Sequence, residues 1–454
     1  MPKLSSKHEN NSINFNKMDG GINVSAYGDY IEDNELQECN NMYYERDTYT
    51  LRSRGGLSIP KITFTTNIKA TFKDDETGII FIFLENNDVY RTTNMNDSIY
   101  IGKVNGDKYP ECIKHVNKLF IASGGILQYY DFINNIKNVE DENAPIADVI
   151  TSLYGRLLVS YEGSRYLDWS SWGDGTDWTL NTNDPSAAVK TEIGSDGGTI
   201  ISFSRLSTDI MVFKNSGKVY QYSGYPPNEE QQQLIIDRPP ALSPRSIKSL
   251  STEVIYINES GLQQLTTTME YGNITYGDAP LANKFNKIIK SDLYSPKIWE
   301  LKRDKSVVIM PNSDIGKKLI IYNYIVGACT TWDFNDKITD LIELENEIIV
   351  AVGRNIHSLS LNNNKDFDTF PILWKMKFKR IESINLILLK EIDIMLDGDY
   401  VSEATLNLTK VARQVPIKKS KKIKLNHTSK YIEPVLFGTE SVKFHHLIII
   451  KAEV

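Results

Sequence analysis

The densest group of residues that could carry out chemistry lies at residues 168–178, with the sequence DWSSWGDGTDW. Within ten positions it holds three carboxylates, Asp168, Asp174 and Asp177. A pair of carboxylates flanking a sugar can hydrolyse a glycosidic bond. Asp and Gly also stabilise tight turns, and Trp side chains pack between sheets. The pattern favours this second interpretation, a tight outer hairpin, over catalysis.

Signatures for metals and nucleophiles are weaker still. Of the six histidines only His445 and His446 are neighbours, and adjacent residues of a strand point to opposite faces. Cys39, Cys112 and Cys329 lack the CxxC spacing of a thiolate metal site, so we expect three buried or inert thiols. No phosphate-binding loop, dinucleotide fingerprint or nucleophile elbow occurs. The sequence therefore predicts no metal site, no cofactor and no enzyme.

Charge is unevenly distributed along the 454 residues. Residues 376–454 carry 14 Lys and Arg against 9 Asp and Glu, a net charge of +5. The total is −7, so residues 1–375 carry −12. A protein that reads DNA sequence needs a basic surface to neutralise phosphates, so this function is disfavoured.

One basic stretch stands out in the C-terminal region. Between Ala404 and Pro434 the only acid is Glu433, against eight Lys and Arg. The stretch could contact a polyanion such as DNA, contact an acidic neighbouring subunit, or form a solvated hairpin whose lysines protect an exposed strand edge. The sequence leaves these alternatives open. The candidate DNA or subunit contacts are Lys410, Arg413, Lys418, Lys419, Lys421, Lys422 and Lys424.

The elements that would position these residues are almost all β-strands. Residues 208–220 and 252–261 match at an offset of 44, each as a strand, a polar turn and a second strand. Seven such hairpins occur, with turns near residues 87, 124, 163, 217, 261, 314 and 354. Blades of a β-propeller take about 40–50 residues each. We therefore predict an all-β protein with a propeller of about seven blades, although the uneven spacing also allows six or eight.

Three regions follow from this pattern. Residues 1–59 are rich in Asn and Gly and predict an extended N-terminal assembly arm with little core of its own. Residues 60–375 hold the propeller, and residues 376–454 predict a small separate β domain. The polar start lacks the apolar core of a signal peptide, and no apolar run approaches the roughly 20 residues that span a bilayer. We therefore expect folding in the cytoplasm and no membrane insertion.

The predicted hairpin at residues 168–178, called the acidic hairpin below, is similar to the Asp box of sialidase-type propellers, Ser-x-Asp-x-Gly-x-Thr-Trp. The match runs through Ser171, Gly175 and Trp178. Gly173 stands where the box has Asp, and Asp177 stands where it has Thr. In that family the box stabilises a turn away from the active site, so the resemblance implies no hydrolysis.

A second resemblance rests on the order of several short segments. They are FNKMDGGIN at 15–23, IEDNE at 31–35, NNM at 40–42, LRSRGG at 51–56, YGRLLVS at 154–160, LDWS at 167–170 and DW at 177–178. Together they resemble the tail-hub or nozzle proteins of short-tailed phages, the packaged-DNA stabilisation family. The likeness reaches to about Trp374 and fades in the last 80 residues.

The resemblance implies a virion protein of the phage tail, assembled in the host cytoplasm. Family members form a homo-oligomeric ring, commonly of six subunits, below the portal and its adaptor. They line the DNA exit channel without reading sequence, retain the genome until ejection, and support tail fibres or a needle. An acidic bulk fits this role because it repels the phosphates of sliding DNA.

Two other functions remain as alternatives. The partial Asp box and the many aromatic residues would suit a carbohydrate-binding or glycan-cleaving propeller. A receptor-binding protein at the tail tip would share the same composition.

Overall fold

The computed structural model describes residues 11–453, except 17, 47, 49, 227–228, 271–272, 282, 346, 361–362, 398–403, 409–412 and 418–419. The described part is almost entirely β-structure. One α-helical turn, Asn286–Lys290, and one 3-10 turn, Pro244–Ser246, are its helices. No helix among the described residues is long and apolar enough to cross a membrane.

Antiparallel sheets form seven successive blades in the part of the chain that the structure describes. Blade one comprises Ile68–Lys73, Ile80–Leu84, Asp88–Thr92 and Ile99–Lys103, and blade two comprises Glu111–His115, Lys118–Ala122, Gln128–Tyr130 and Lys137–Asn138. Blade three comprises Val149–Leu153, Arg156–Ser160, Tyr166–Trp169 and Val189–Glu192, and blade four comprises Ile200–Leu206, Asp209–Lys214, Lys218–Ser223 and Gln231–Asp237. Blade five comprises Ile247–Ser249, Glu253–Asn258, Gly261–Glu270 and Asn273–Pro280, and blade six comprises Lys297–Leu301, Ser306–Met310, Lys318–Asn323 and Ala328–Asp333. Blade seven contains Ile338–Glu343, Ile348–Val352 and Asn355–Ser360. Two short ladders lie outside the blades: Gly125–Ile126 with Ile146–Ala147, and Lys365–Asp366 with Phe370–Pro371.

The repeated hairpins of the sequence are the second and third strands of these seven blades. Second strands such as Ile80–Leu84 and Ile348–Val352 are buried at every position because a neighbouring blade covers each face. This explains their continuous apolar runs, which a strand with one solvated face would not show. The predicted propeller is confirmed, and the described residues give the count of seven.

Apolar clusters between neighbouring blades form the core. Phe81 and Leu119 join blades one and two, Trp169 and Tyr222 join blades three and four, and the contacts continue to blade seven. A last cluster, with Ile68 and Ile356, joins blade seven back to blade one. The ring is therefore closed by hydrophobic packing as well as by strand pairing.

The N-terminal segment completes blade seven. Gly56–Leu57 and Ile62–Thr63 both pair antiparallel with Asn355–Ser360, so an early segment is the outer strand of the last blade. A Cβ at Gly56 would lie 2.0 Å from the carbonyl oxygen of Lys365, so only glycine fits there. Ring closure therefore depends on residues near position 56.

A β-sandwich follows the ring and is continuous with it. Its first sheet orders Met42–Tyr44, Leu51–Ser53, Lys443–Glu453, Ile381–Asp397 and Ser420–Ile432, with Asn11–Asn16 also on Lys443–Glu453. The second sheet extends blade six through Glu35–Asn40, Trp374–Phe378, Pro434–Gly438, Ala404–Leu408 and Arg413–Ile417, and Gly21–Ile22 pairs with Glu35–Asn40. The join is parallel, at Asn40 and Thr331.

Strand pairing crosses both region boundaries that the sequence predicted. Gly56–Leu57 pairs across the boundary at 59/60, and Trp374–Phe378 contains the boundary at 375/376. Phe15, Leu36 and Cys39 share one apolar cluster with the C-terminal strands. These three residues belong to the predicted N-terminal arm. They thus contribute to a core that the propeller and the C-terminal region also form.

Candidate functional site

Residues from the short sequence segments at 31–35, 40–42 and 51–56 lie at the joint between ring and sandwich. Arg54 is buried, and its guanidinium donates to both carboxylate oxygens of Asp366 at 2.9 and 2.7 Å. It also donates to the Asp333 carbonyl at 2.8 Å and packs on the Phe334 ring, 4.3 Å from its centroid. Its Nε donates to the Asn41 side-chain oxygen at 2.9 Å. Arg54 therefore ties blade six, the short ladder that follows blade seven and the N-terminal segment together.

Glu35 occupies a second buried position at this joint. Its carboxylate accepts hydrogen bonds from Asn23 at 2.7 Å and from the Glu32 backbone at 2.9 Å, and it pairs with Lys284 at 2.5 Å. Burial alone raises the pKa of Glu35, but the hydrogen bonds from Lys284, Asn23 and Glu32 outweigh it and lower the pKa. The Glu35 carboxylate is thus kept ionised at the position where the N-terminal segment packs into the joint.

A cluster of charged and aromatic side chains lies inside the propeller, at or beside the first strands of four blades. Asp340, at the start of blade seven, accepts hydrogen bonds from Tyr109 Oη at 2.5 Å, Trp299 Nε1 at 2.6 Å and Arg245 Nη2 at 3.1 Å. The Arg245 guanidinium lies 3.5 Å from the centroid of the Tyr109 ring. Burial raises the pKa of Asp340, but Arg245, Lys297 and the hydrogen bonds lower it below its usual value. These side chains therefore bridge non-adjacent blades across the inside of the ring.

A pocket of about 600 Å³ is lined in part by Tyr109 and Arg245 of this cluster, where the first strands of blades two to six begin. Lys297 and Glu111 line it. Burial, aided by nearby Arg245, lowers the pKa of Lys297 to about 7. Burial raises the pKa of Glu111 to about 7. The sequence reasoning missed this cluster because its members come from distant parts of the chain with no shared local motif.

The acidic hairpin has the turn structure that the sequence favoured. Asp174 accepts hydrogen bonds from the Thr176 backbone at 2.8 Å and hydroxyl at 2.6 Å, and Asp177 accepts from the Thr179 backbone at 3.0 Å. Asp168 is mostly buried and pairs with Lys190 at 3.2 Å. The carboxylates therefore cap turns or pair with a lysine.

The three tryptophans of this hairpin have different environments. Trp169 and Trp178 are buried between blades, as predicted. Trp172 instead projects into solvent with 66% of its surface exposed, so the prediction that it packs between blades is wrong. Its backbone N–H donates to the Ser186 carbonyl, and its indole lies against Gly155.

The basic stretch is only partly described. Lys410, Lys418 and Lys419 lie outside the described residues, and Arg413 and Lys421 belong to strands Arg413–Ile417 and Ser420–Ile432. Lys422 and Lys424 are exposed on either side of the buried Ile423. Lys422 lies 3.6 Å from Asp393 of the neighbouring strand.

No group of three His, Cys, Asp or Glu side chains among the described residues has the arrangement of a metal site. Cys39 and Cys329 are buried and Cys112 is partly buried. Burial raises the pKa of all three thiols, which disfavours the nucleophilic thiolate form.

The strand pairing defines a seven-bladed β-propeller fused to a β-sandwich. No protein-family model and no curated protein matches the sequence. Among solved structures, the chain is similar to an extracellular domain described as that of a one component system from B. thetaiotaomicron, with 12% identity and a TM-score of 0.46 over 93% of this chain and 63% of that one. It is also similar to BamB from Moraxella catarrhalis, with 10% identity and a TM-score of 0.43 over 68% and 90% of the two chains. The Pan2 WD40 domain of Neurospora crassa matches with 7% identity and a TM-score of 0.45 over 70% and 97%.

Proposed function

We propose that this chain is a non-enzymatic structural protein of a phage tail, the nozzle or hub below the portal. The observation that carries the proposal is the location of the phage-like N-terminal segments. Their residues Arg54, Asn41 and Glu35 are buried at the joint between propeller and sandwich. Because these residues are buried between the propeller and the sandwich, the resemblance concerns the fold that the two parts share. It does not concern a surface loop.

The joint suits a component that bears load. A continuous sheet runs from blade six into the sandwich, and the Arg54–Asp366 ion pair lies beside it. Bending between the two parts would break strand hydrogen bonds and separate the Arg54–Asp366 pair. A stiff body of this kind favours repeated contacts with neighbours in a ring.

DNA would pass between copies of the chain, and not through any one propeller. The Asp340, Arg245 and Tyr109 side chains contact one another across the inside of the propeller and so obstruct it. The exit channel would therefore be the lumen of a homo-oligomeric ring, commonly of six copies in this family, under the portal and adaptor. Tail fibres or a needle would attach to the same ring.

The basic stretch fits either of two contacts in such an assembly. Lys410, Arg413, Lys418, Lys419, Lys421, Lys422 and Lys424 could face DNA in the lumen or the acidic remainder of a neighbouring copy. Replacing all seven by Gln distinguishes these contacts. Loss of DNA retention in assembled rings supports the first contact, whereas loss of the rings themselves supports the second.

Electron microscopy of virions carrying a gold-binding tag on this chain tests the proposal. We expect gold on the tail axis directly below the portal, and a ring in averaged images. Gold only on peripheral projections would support a receptor-binding protein instead. Absence of the chain from purified virions would contradict any structural role in the particle.

A further inference from the structure

Trp172 and Tyr225 present two exposed aromatic rings to one shallow cleft between blades three and four. The cleft has a volume of about 390 Å³, and Pro185, Pro226 and Glu229 complete much of its wall. Trp172 is 66% exposed and Tyr225 is 56% exposed. Trp and Tyr combine a large apolar face with a polar atom, which suits two such rings in one cleft to contact a ligand.

Both rings are held in place before any ligand binds. The backbone N–H groups of Trp172 and Gly173 donate to the carbonyls of Ser186 and Gly155 at 2.8 Å each. A Cβ at Gly155 would lie 2.8 Å from Trp172 Nε1, so the indole rests directly on that glycine. The Tyr225 ring lies on the Tyr154 ring with centroids 4.4 Å apart. Such preorganisation lowers the entropy cost of binding a flat ligand.

The polar groups of the cleft select the type of ligand. The Arg156 guanidinium is buried and already donates to the carbonyls of Ser170, Ala187 and Pro185 at 2.6–2.7 Å. The Ser186 hydroxyl donates to Asp184 at 2.7 Å. The exposed Glu229 carboxylate remains at the rim as an acceptor, which disfavours anionic ligands and favours hydroxyl donors. An open shelf with two rings differs from the closed aromatic cage that encloses a quaternary ammonium ion.

We propose that this cleft binds a neutral oligosaccharide of pyranose units. The apolar C–H face of one sugar ring lies on Trp172. The hydroxyls of the oligosaccharide donate hydrogen bonds to the Glu229 carboxylate and form hydrogen bonds with the Tyr225 hydroxyl. Binding involves no bond cleavage. The site lies on the outer surface, separate from the joint and from the axial cluster, and goes beyond a role in tail assembly.

Tryptophan fluorescence can test this site with little background. All six tryptophans lie among the described residues, and the other five are at most 8% exposed. Acrylamide should therefore quench mainly Trp172, and Trp172→Phe should abolish the accessible component. We expect cellohexaose, maltohexaose or chitohexaose, at millimolar concentration, to protect the wild-type protein from quenching at least twofold.

Variants measured by calorimetry complete the test. Trp172→Ala and Tyr225→Ala should weaken oligosaccharide binding at least tenfold, with Trp172→Ala keeping the wild-type melting midpoint because its side chain is exposed. Tyr294→Ala, which removes an equally exposed ring at the entrance to blade six, should bind as the wild type does. The proposal is overturned if none of the three sugars protects, if both cleft variants bind normally, or if tetramethylammonium or a proline-rich peptide protects instead of the sugars.

Discussion

Arg54 and Asp366 form a buried two-point ion pair, with Nη1 to Oδ1 at 2.9 Å and Nη2 to Oδ2 at 2.7 Å. They are separated by 312 positions in the chain. The pair holds an N-terminal segment against the short ladder that follows the last blade, near the strand that closes the ring. Its geometry is the strongest arrangement available to a guanidinium and a carboxylate.

Breaking this pair should strongly destabilise the protein. Arg54→Met leaves the Asp366 carboxylate buried and unpaired, and we expect a loss of about 3–5 kcal/mol in the free energy of unfolding. Urea denaturation at pH 7 measures it. Lys61→Met is the matched control, because Lys61 pairs with Glu347 on the same part of the ring while both side chains are about one-third exposed. The control should cost at most about 1 kcal/mol. Equal losses in the two variants would show that burial of the Arg54 pair is unimportant.

The axial Asp340 should stabilise the ring in a pH-dependent manner. Its pKa is lowered in the folded state, so its contribution is complete above the unfolded value of about 3.9 and is lost as pH falls through the folded value. Asp340→Asn should therefore cost about 3–5 kcal/mol at pH 7, and the difference from wild type should shrink below pH 4. Urea denaturation from pH 7 to pH 3 measures both values. A difference that stays constant over this range would contradict the assigned ionised state.

Glu111 should have the opposite effect. Burial raises its pKa from 4.5 to about 7, so the folded protein binds the proton more tightly than the unfolded chain. Stability conferred by the protonated form is therefore lost as pH rises from 4.5 through 7. Glu111→Gln should be more stable than wild type at pH 8 and nearly equal to it at pH 5. Glu192→Gln, at an exposed site, should show the same small difference at both pH values. A Glu111→Gln protein without any gain at pH 8 would contradict the prediction.

The tryptophans of the acidic hairpin allow a direct comparison of buried and exposed rings. Trp178 packs between blades two and three, and its Nε1 donates to the Gly175 carbonyl at 3.1 Å. Trp178→Ala should cost about 3–5 kcal/mol because it leaves a cavity. Trp172→Ala should change stability by less than about 0.5 kcal/mol. Thermal unfolding monitored by circular dichroism separates the two. An unchanged melting midpoint for Trp178→Ala would rule out its burial.

Deleting residues 1–59 should damage the propeller itself. From the sequence alone such a deletion is expected to leave a folded ring that fails only in assembly. The structure places Gly56–Leu57 in blade seven, and Phe15 and Leu36 in the shared core, so we now expect a lower melting midpoint and rapid proteolysis. Limited digestion with trypsin, followed by mass spectrometry, measures this. A truncated chain with the wild-type midpoint and protease resistance would contradict the structural role.

The acidic hairpin shows which structural features the local sequence predicts and which it does not. Asp174 and Asp177 were predicted to cap turns, and they do so through hydrogen bonds to residues two positions ahead. Trp169 and Trp178 were predicted to be buried, which is also confirmed. The exposure of Trp172 could not be predicted, because the three tryptophans lie in the same short stretch of sequence. Whether each ring is buried depends on which neighbouring blade contacts it.

The sequence by itself determined the repeating unit: apolar strands, polar turns and a spacing near 44 residues specify one blade and its repetition, because strand and turn preferences act over a few residues. Only the tertiary structure decided which residues meet. Tyr109 and Asp340 are 231 positions apart, and Arg245 and Asp340 are 95 apart, yet they share hydrogen bonds at the axis. The physical reason is closure: a ring brings the inner strands of all its blades to one centre, and an N-terminal strand to the last blade, and neither contact leaves a local pattern in the sequence.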